Sequence, residues 1–168
     1  MKPVVNNIIK FKYITRLDMI EDVKQLFLEY AISLKVDLAF QDFESEIKLL
    51  PGKYGPPHGV LIIALVDDNA AGCIALRKIS EDTCEMKRLY VRDDYKGLGI
   101  GKNLIKMILK DASRLNYDYI RLDTLPTMKK AQELYTSLGF YDIEPYVYNP
   151  IKGTKFMELK FMELKLKI

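Results

Sequence analysis

Three glycines alternate with other residues between positions 96 and 102, in the sequence KGLGIGK, and this loop separates a strand-like segment from an amphipathic helix. The segment before the loop, residues 84–91, is typical of a strand, and residues 99–115 carry apolar side chains on one helical face. A second strand-like segment, residues 117–124, follows. A strand, a crossover helix and a second strand in this order form a parallel unit. The loop therefore places the chain in the α/β (α+β) class.

Further strands and helices are predicted around this unit. Apolar residues recur at helical spacing between residues 15 and 36, where Thr15 and Asp18 resemble a capping box at the helix start. A second helix is predicted over residues 41–50, and the apolar run 60–66 followed by turn residues predicts a hairpin. The other predicted strands cover residues 8–14, 71–79, 140–144 and 154–161. We expect a mixed, mostly antiparallel central sheet of about six to seven strands with helices on both faces.

Composition favours one compact domain over residues 1–168. The chain has 49% hydrophobic and 29% charged residues, which is too apolar for a disordered segment. Its longest uncharged apolar run, residues 60–66, is far shorter than a membrane span of ~20 residues, and the first residues resemble no signal peptide. A formal net charge of +3 without a basic stripe argues against nucleic acid as a partner. We expect a cytoplasmic protein that contacts no membrane.

The cysteine and histidine content excludes several kinds of site. Cys73 and Cys84 lack the spacing of zinc ligands, so no metal site is predicted. If both lie on the paired strands 71–79 and 84–91, Cys73 faces about Tyr90 and Cys84 about Ile79, which is too far out of register for a disulfide bond. With His58 as the single histidine, a Ser/His or Cys/His dyad has little support.

The glycine loop favours an anion-binding function. Backbone N–H groups at the start of a helix attract phosphate, because the helix dipole adds to their partial charges. The loop is not a Walker A motif, since Lys96 and Asn103 stand where glycine and Ser or Thr are required. It is not a dinucleotide fingerprint either, since Lys102 stands where the third glycine is required.

The segment resembles the GNAT superfamily of N-acetyltransferases. Residues 96–101, KGLGIG, match the family's pyrophosphate motif Q/R-x-x-G-x-G/A except that Lys96 replaces arginine or glutamine. Residues 131–140, AQELYTSLGF, resemble the family's A-x-x-L-Y-x-x-x-G-F signature. The similarity of order and spacing runs over about residues 60–161, whereas the first 59 residues match only in having a strand and two helices.

The resemblance implies that the chain binds acetyl-coenzyme A as its acetyl donor. In the family the strand over residues 84–91 is bulged, and the backbone at its end contacts the pantetheine arm and the thioester carbonyl. The glycine loop holds the pyrophosphate, and Met128 stands where the family frequently has an asparagine that contacts the cofactor arm. The implied cofactor-binding residues are Leu89, Tyr90, Val91, Lys96, Gly97, Leu98, Gly99, Ile100, Gly101, Lys102, Met128 and Ala131. For the cofactor's 3′-phosphate, Lys102, Lys106, Lys129 and Lys130 are candidates, and simple solvation of these lysines is the alternative.

Two catalytic residues follow from the same resemblance. An amine acceptor is protonated at neutral pH and needs a base, and Glu85 matches the glutamate that the family often uses through water. In an unbulged strand Glu85 shares a face with Leu89 and Val91, and a bulge reverses that relation. Tyr135 matches the acid that protonates the departing thiolate. The alternatives are an ion-paired Glu85 and a Tyr135 that only packs in the core.

The acceptor side is predicted in the two N-terminal helices, the loop 51–59 and residues 146–153. Asp37, Asp42 and Glu44 are candidates to attract an ammonium group, Arg88 to meet a carboxylate, and Tyr54 or Tyr146 to line a wall, with a solvated loop as the alternative for each. We expect a primary amine of a small molecule or peptide as acceptor.

Two rival functions and the state of assembly stay open. The rivals are a catalytically silent acetyl-coenzyme A sensor and a partner-binding domain, and a homodimer is also left open. FMELK at residues 156–160 is repeated at 161–165, and a five-residue period places Phe156 and Phe161 on opposite faces of a continuous strand. We expect the first copy in the sheet and the second to fray or to extend an edge.

Overall fold

Seven strands form one mixed sheet in the computed structural model, which describes residues 6–161 apart from the side chain of Phe40. The strands are β1 (Ile9–Tyr13), β2 (Val60–Val66), β3 (Asn69–Lys78), β4 (Thr83–Val91), β5 (Tyr119–Thr124), β6 (Tyr141–Ile143) and β7 (Lys155–Lys160). The helices are α1 (Ile20–Leu34), α2 (Phe43–Leu49), α3 (Ile100–Arg114) and α4 (Lys129–Ser137).

The strand order is β1-β2-β3-β4-β5-β7-β6, and every neighbouring pair is antiparallel except β4 with β5. The parallel pair arises because α3 carries the chain from the end of β4 back to the start of β5, as the sequence predicts. The mixed, mostly antiparallel sheet is therefore confirmed.

Helices cover both faces of the sheet, which is also confirmed. Leu104, Ile105 and Ile108 of α3 belong to one buried cluster, and Val23, Leu26 and Phe27 of α1 belong to the other. Strand β2 supplies both clusters because its side chains alternate, with Ile62 and Ala64 in the first and Leu61 and Ile63 in the second. Among the described residues, no helix is long and apolar enough to cross a bilayer.

The predicted start of α1 is wrong. The helix begins at Ile20, and its N-cap is Met19, with φ 58° and no capping side chain. Asp18 instead accepts a hydrogen bond from Lys12 Nζ on β1 at 2.6 Å. The carboxylate is therefore engaged by the neighbouring strand and does not cap the helix.

Both cysteines are buried and free. Cys73 lies opposite Tyr90 and Cys84 opposite Lys78, so the register agrees with the prediction to within one residue. Burial raises the pKa of both thiols, and we assign them to packing.

The first FMELK copy forms β7, as predicted. Met157 and Phe161 join the cluster under α3, so Phe156 points to the other face. The backbone N–H of Phe161 donates to the carbonyl of Asp118 at 2.8 Å. Residues 162–165, which hold the rest of the second copy, lie outside the described residues.

Candidate active site

The strands β4 and β5 separate before they end. Their pairing covers Thr83 to Glu85 on β4 and Tyr119 to Arg121 on β5 and goes no further. The remaining residues of both strands therefore border a gap in the sheet. Ligands in sheets of this kind bind at the carboxyl ends of parallel strands, which is where the gap opens.

A β-bulge on β4 reorients the side chains that border this gap. Ala75 on β3 pairs with Lys87 and Cys73 pairs with Tyr90, so two residues of β4 oppose one of β3. Arg88 takes up the irregularity with φ 61°. The bulged strand agrees with the family resemblance.

Because of the bulge, Glu85 does not share a face with Leu89 and Val91. The latter two pack against the cluster under α3. Lys87, which shares Glu85's face, instead donates a hydrogen bond to Gln41 beside α2 at 3.2 Å. Of the two arrangements left open for Glu85, the one that a bulge produces is therefore observed.

The glycine loop forms the outer part of a cleft of about 960 Å³. Gly97 and Gly99 have φ of 86° and 77°, a region that side chains other than glycine rarely adopt. Gly99 precedes the first residue of α3 and its carbonyl accepts the first intrahelical bond, from Asn103. The N–H groups of residues 100–102 consequently have no partner within the helix, and an anion in the cleft can bind them.

Most of the predicted cofactor-binding residues border this cleft. The residues that do so are Leu89, Tyr90, Val91, Lys96, Gly97, Gly99, Ile100, Gly101, Met128 and Ala131, joined by Lys129 and Lys130 at the start of α4. Leu98 packs instead against the core, and Lys102 and Lys106 are exposed outside the cleft. Lys96 also pairs with Asp93 at 2.6 Å.

The cleft continues into a smaller inner cavity of about 40 Å³. Tyr30, Leu34, Leu89 and Met128 line both spaces. The inner cavity occupies the gap between β4 and β5, and its polar lining consists of Gln41, Lys87, Arg88, Asp123, Thr124, Tyr135, Asn149 and Tyr30. A long ligand in the cleft therefore reaches a polar chamber at its inner end.

Tyr135 lines the inner cavity and is 4% exposed. Its ring packs against Phe140 with 5.7 Å between the ring centroids. Burial raises the pKa of its phenol, and the nearby Tyr30 and Asp123 raise it further. The hydroxyl thus keeps its proton at neutral pH.

Glu85 is buried and forms an ion pair with Arg77. Its Oε1 accepts from Arg77 Nε at 2.8 Å, and its Oε2 accepts from the Tyr146 hydroxyl at 2.7 Å. Burial acts to raise the pKa of Glu85, but Lys87, Arg77 and the bond from Tyr146 outweigh it and hold the pKa below its usual value. The carboxylate is therefore ionised at neutral pH, with both oxygens engaged.

Arg88 is bound by Glu46 on α2 and by Gln41, which lies two residues before that helix. Its guanidinium donates to Glu46 at 2.8 and 3.1 Å and to Gln41 at 2.8 Å. Tyr54 donates to the same Glu46 at 2.7 Å and is fully buried. Arg88 thus meets a carboxylate of the protein itself, and Tyr54 belongs to the core.

The other acceptor-side candidates lie apart from the inner cavity. Asp37, Asp42 and Glu44 are exposed and do not line it, and Tyr146 is bound to Glu85.

Sequence reasoning missed Lys87, Asp123, Thr124 and Asn149 as residues of the inner cavity. A signal existed for two of them, because Asp123 and Thr124 close a strand that was predicted to run parallel to β4. Asn149, in the loop between β6 and β7, donates a hydrogen bond to Asp123 Oδ2 on β5 at 3.2 Å. No local sequence pattern indicates this contact.

Comparison with known proteins yields one family model and several relatives. The model described as the Acetyltransferase (GNAT) family matches residues 20–140. An uncharacterized N-acetyltransferase of Schizosaccharomyces pombe is 41% identical over 84% of this chain and 88% of its own length. One of Dictyostelium discoideum is 33% identical over 93% of this chain and 99% of its own. N-acetylaspartate synthetase of Rattus norvegicus is 34% identical over 68% of this chain, but only 40% of its own length is covered.

Solved structures share the fold. A GNAT-family acetyltransferase of Staphylococcus aureus superposes with a TM-score of 0.71 at 22% identity, covering 91% of this chain and 99% of that one. The PaiA N-acetyltransferase of Thermoplasma acidophilum, solved with coenzyme A, gives 0.70 at 16% identity, covering 91% and 99%. YncA of Salmonella typhimurium, solved with acetyl-coenzyme A, gives 0.66 at 15% identity, covering 92% and 95%.

Proposed function

This chain belongs to the GNAT family of acetyltransferases, and we propose that it transfers the acetyl group of acetyl-coenzyme A to a primary amine of a small molecule or peptide. In this proposal the amine attacks the thioester directly while both substrates are bound. The observation that carries the proposal is the continuity of the cleft, which runs from free helix N–H groups through the gap between β4 and β5 to the buried Tyr135.

The donor's diphosphate is assigned to the glycine loop. The N–H groups of residues 100–102 supply the hydrogen bonds, and Gly97 and Gly99 leave room for a close approach because they lack side chains. Lys129 and Lys130 border the same cleft and add positive charge near it. Met128 lines both spaces and offers an apolar contact where an asparagine is frequent in the family.

We assign the thioester carbonyl carbon to the gap between β4 and β5, where the backbone of residues 89–91 borders the cleft. The amine nitrogen, after losing one proton, forms a bond to the carbonyl carbon, and the carbon–sulfur bond then breaks. Tyr135 gives its proton to the departing sulfur, and the newly acylated nitrogen restores that proton. A backbone N–H beside Leu89 stabilises the oxyanion, and such a donor is worth about 3 kcal/mol in other enzymes.

Glu85 stays a prediction as the base for the amine. Its lowered pKa leaves it ionised and therefore able to accept a proton, but the same shift weakens it as a base. Its hydrogen bonds to Arg77 and Tyr146 favour the alternative role of a structural ion pair. Substitution by glutamine separates these roles, because it removes the charge and the basicity together while keeping the shape of the side chain.

A panel of candidate amines can identify the acceptor. Small monoamines, diamines, peptide N-termini and free amino acids belong in it, the last because one relative is named for an N-acetylated amino acid. Thiol release from acetyl-coenzyme A, dependent on an amine and abolished without protein, supports the proposal. Coenzyme binding with no turnover across the panel favours the sensor, and no binding by calorimetry favours a partner-binding domain.

A further inference from the structure

Charged side chains around the inner cavity form two ion-paired groups, each built on one buried carboxylate. Glu85 is paired with Arg77, and Arg88 is paired with Glu46. Lys87 and Asp123 line the cavity itself and form no ion pair with each other among the described residues. Lys87 lies 3.8 Å from Glu85 Oε1, which also pairs with Arg77, so two cations share one carboxylate and one positive charge is in excess. Asp123 forms no ion pair among the described residues and has Asn149 as its hydrogen-bond donor.

Lys87 has hydrogen-bonding capacity to spare. Its ammonium has three donors, and Gln41 Oε1 takes one at 3.2 Å. Glu85 Oε1 is 3.8 Å away, beyond hydrogen-bond distance, and it already accepts from Arg77. The Lys87 side chain is 10% exposed, so water has little access to the unused donors. A buried ammonium of this kind is stabilised by an anion brought in by a ligand.

Asp123 is the complementary case. Asn149 donates to its Oδ2 at 3.2 Å, and no other described residue donates a hydrogen bond to its carboxylate. The carboxylate raises the pKa of Tyr30, Tyr135 and Tyr146 and opposes the desolvation that lowers the pKa of Lys87. Asp123 therefore faces the cavity among these side chains, and its carboxylate can still accept hydrogen bonds from a cationic group.

Thr124 gives an independent sign that a polar ligand belongs in the cavity. Its side chain lines the cavity and is 3% exposed, and its Oγ1 is the buried side-chain atom without a hydrogen-bond partner among the described residues. Buried hydroxyls are nearly always hydrogen-bonded, and an exception calls for a missing partner. A ligand group next to Asp123 supplies that partner.

We propose that the inner cavity is an acceptor site for the zwitterionic head of a free α-amino acid, with the ammonium on Asp123 and the carboxylate on Lys87. The inference rests on the proposed acetyl transfer and adds the class of acceptor. The excess positive charge at Lys87, which shares Glu85 with Arg77, and the Asp123 carboxylate, which has no ion pair among the described residues, match the two charges of that head. At about 40 Å³ the cavity holds only a few heavy atoms, so the amino acid's side chain extends toward Leu34 and Leu38.

The test compares amines that differ only in the carboxylate. For wild-type protein, kcat/KM is measured with free L-amino acids, with the corresponding amino acid amides, and with amines lacking the carboxyl group. We expect the free acids to be preferred by about 10- to 100-fold, as for a charge-assisted hydrogen bond. In Lys87→Met the preference should fall to near unity, while Lys87→Arg retains part of it. Lys78→Met, which removes a lysine that pairs with the exposed Glu81, is the matched control and should keep the preference.

Direct binding gives a second readout that needs no turnover. Calorimetry with coenzyme A present should show a free amino acid binding to wild-type protein and to Asp142→Asn, an exposed control, but not to Asp123→Asn. Efficient acetylation of amides and simple amines with no preference for the acids overturns this inference and leaves the proposed function standing. Coenzyme A binding without acetylation of any amine contradicts the proposed function, and in that case absence of amino acid binding overturns the inference as well.

Discussion

Loss of the Glu46 carboxylate should destabilise the protein strongly. Glu46 and Arg88 are 3% and 2% exposed at their side chains and are joined by two hydrogen bonds, so Glu46→Gln leaves a buried guanidinium without a counter-charge. Removing one partner of a buried ion pair costs about 3–5 kcal/mol. Glutamine keeps one acceptor for Arg88, which places the expected loss near ~3 kcal/mol. In a chain of this length that corresponds to a decrease in Tm of roughly 6–12 °C.

The assay is urea unfolding at pH 7, with the free energy of unfolding obtained by linear extrapolation. Glu44→Gln is the matched control, because Glu44 lies on the same helix, is 88% exposed and, within residues 6–161, forms an ion pair only with Lys48 at 3.6 Å. This control should leave the unfolding free energy unchanged within error. Equal, small losses in both variants would refute the claim that the buried Glu46–Arg88 pair contributes strongly to stability.

The same pair predicts a pH dependence with a defined sign. Burial acts to raise the pKa of Glu46, but Arg88, Tyr54 and Lys53 outweigh it, so the folded pKa lies below the ordinary value of 4.5. The contribution of Glu46 to stability is therefore complete above pH 4.5 and is lost as the pH falls through the folded pKa. Glu46→Gln should remove that part of the acid destabilisation.

Three further predictions concern the reaction. Tyr135→Phe should lower kcat by about 10²-fold or more and leave the Kd for coenzyme A unchanged, because the hydroxyl acts on the leaving sulfur. Gly99→Ala forces an L-residue to φ 77° and should weaken coenzyme A binding about tenfold, as judged by calorimetry. If Glu85 is the base, Glu85→Gln should lower kcat/KM about 10²-fold and abolish an acidic limb of the pH–rate profile below pH 4.5.

A different outcome would contradict each of these three predictions. Equal losses of kcat and coenzyme A affinity in the Tyr135 variant would mean that the ring only packs against Phe140. Gly139→Ala, with φ 105° but outside the cleft, controls for strain, and a loss of coenzyme A affinity equal to that of the Gly99 variant would contradict the assigned diphosphate site. An unchanged pH–rate profile would remove Glu85 as the base.

The strands and the glycine loop could be predicted from the sequence because their signals are local. Alternation and apolar runs place β2 at its observed bounds, and the loop composition predicts the helix start that follows it. The tail repeat predicted the opposite faces of Phe156 and Phe161, since a strand has a period of two.

The rest could not be predicted because it depends on contacts between separate elements of the fold. Asp18 looks like a capping residue in sequence, but Lys12 on β1 binds it. The face of Glu85 depends on a bulge at Arg88, and that residue is bound by Glu46, 42 positions away. The inner cavity likewise joins residues of α1, β4, β5 and the loop at Asn149, so Lys87 and Asp123 meet only in the folded chain.

A crystal structure with coenzyme A bound would show directly whether the glycine loop holds the diphosphate and whether Tyr135 reaches the sulfur. We expect the diphosphate on the N–H groups of residues 100–102 and the sulfur within ~3.5 Å of the Tyr135 hydroxyl, between β4 and β5. A diphosphate bound elsewhere, or a sulfur out of reach of the Tyr135 hydroxyl, would contradict these assignments.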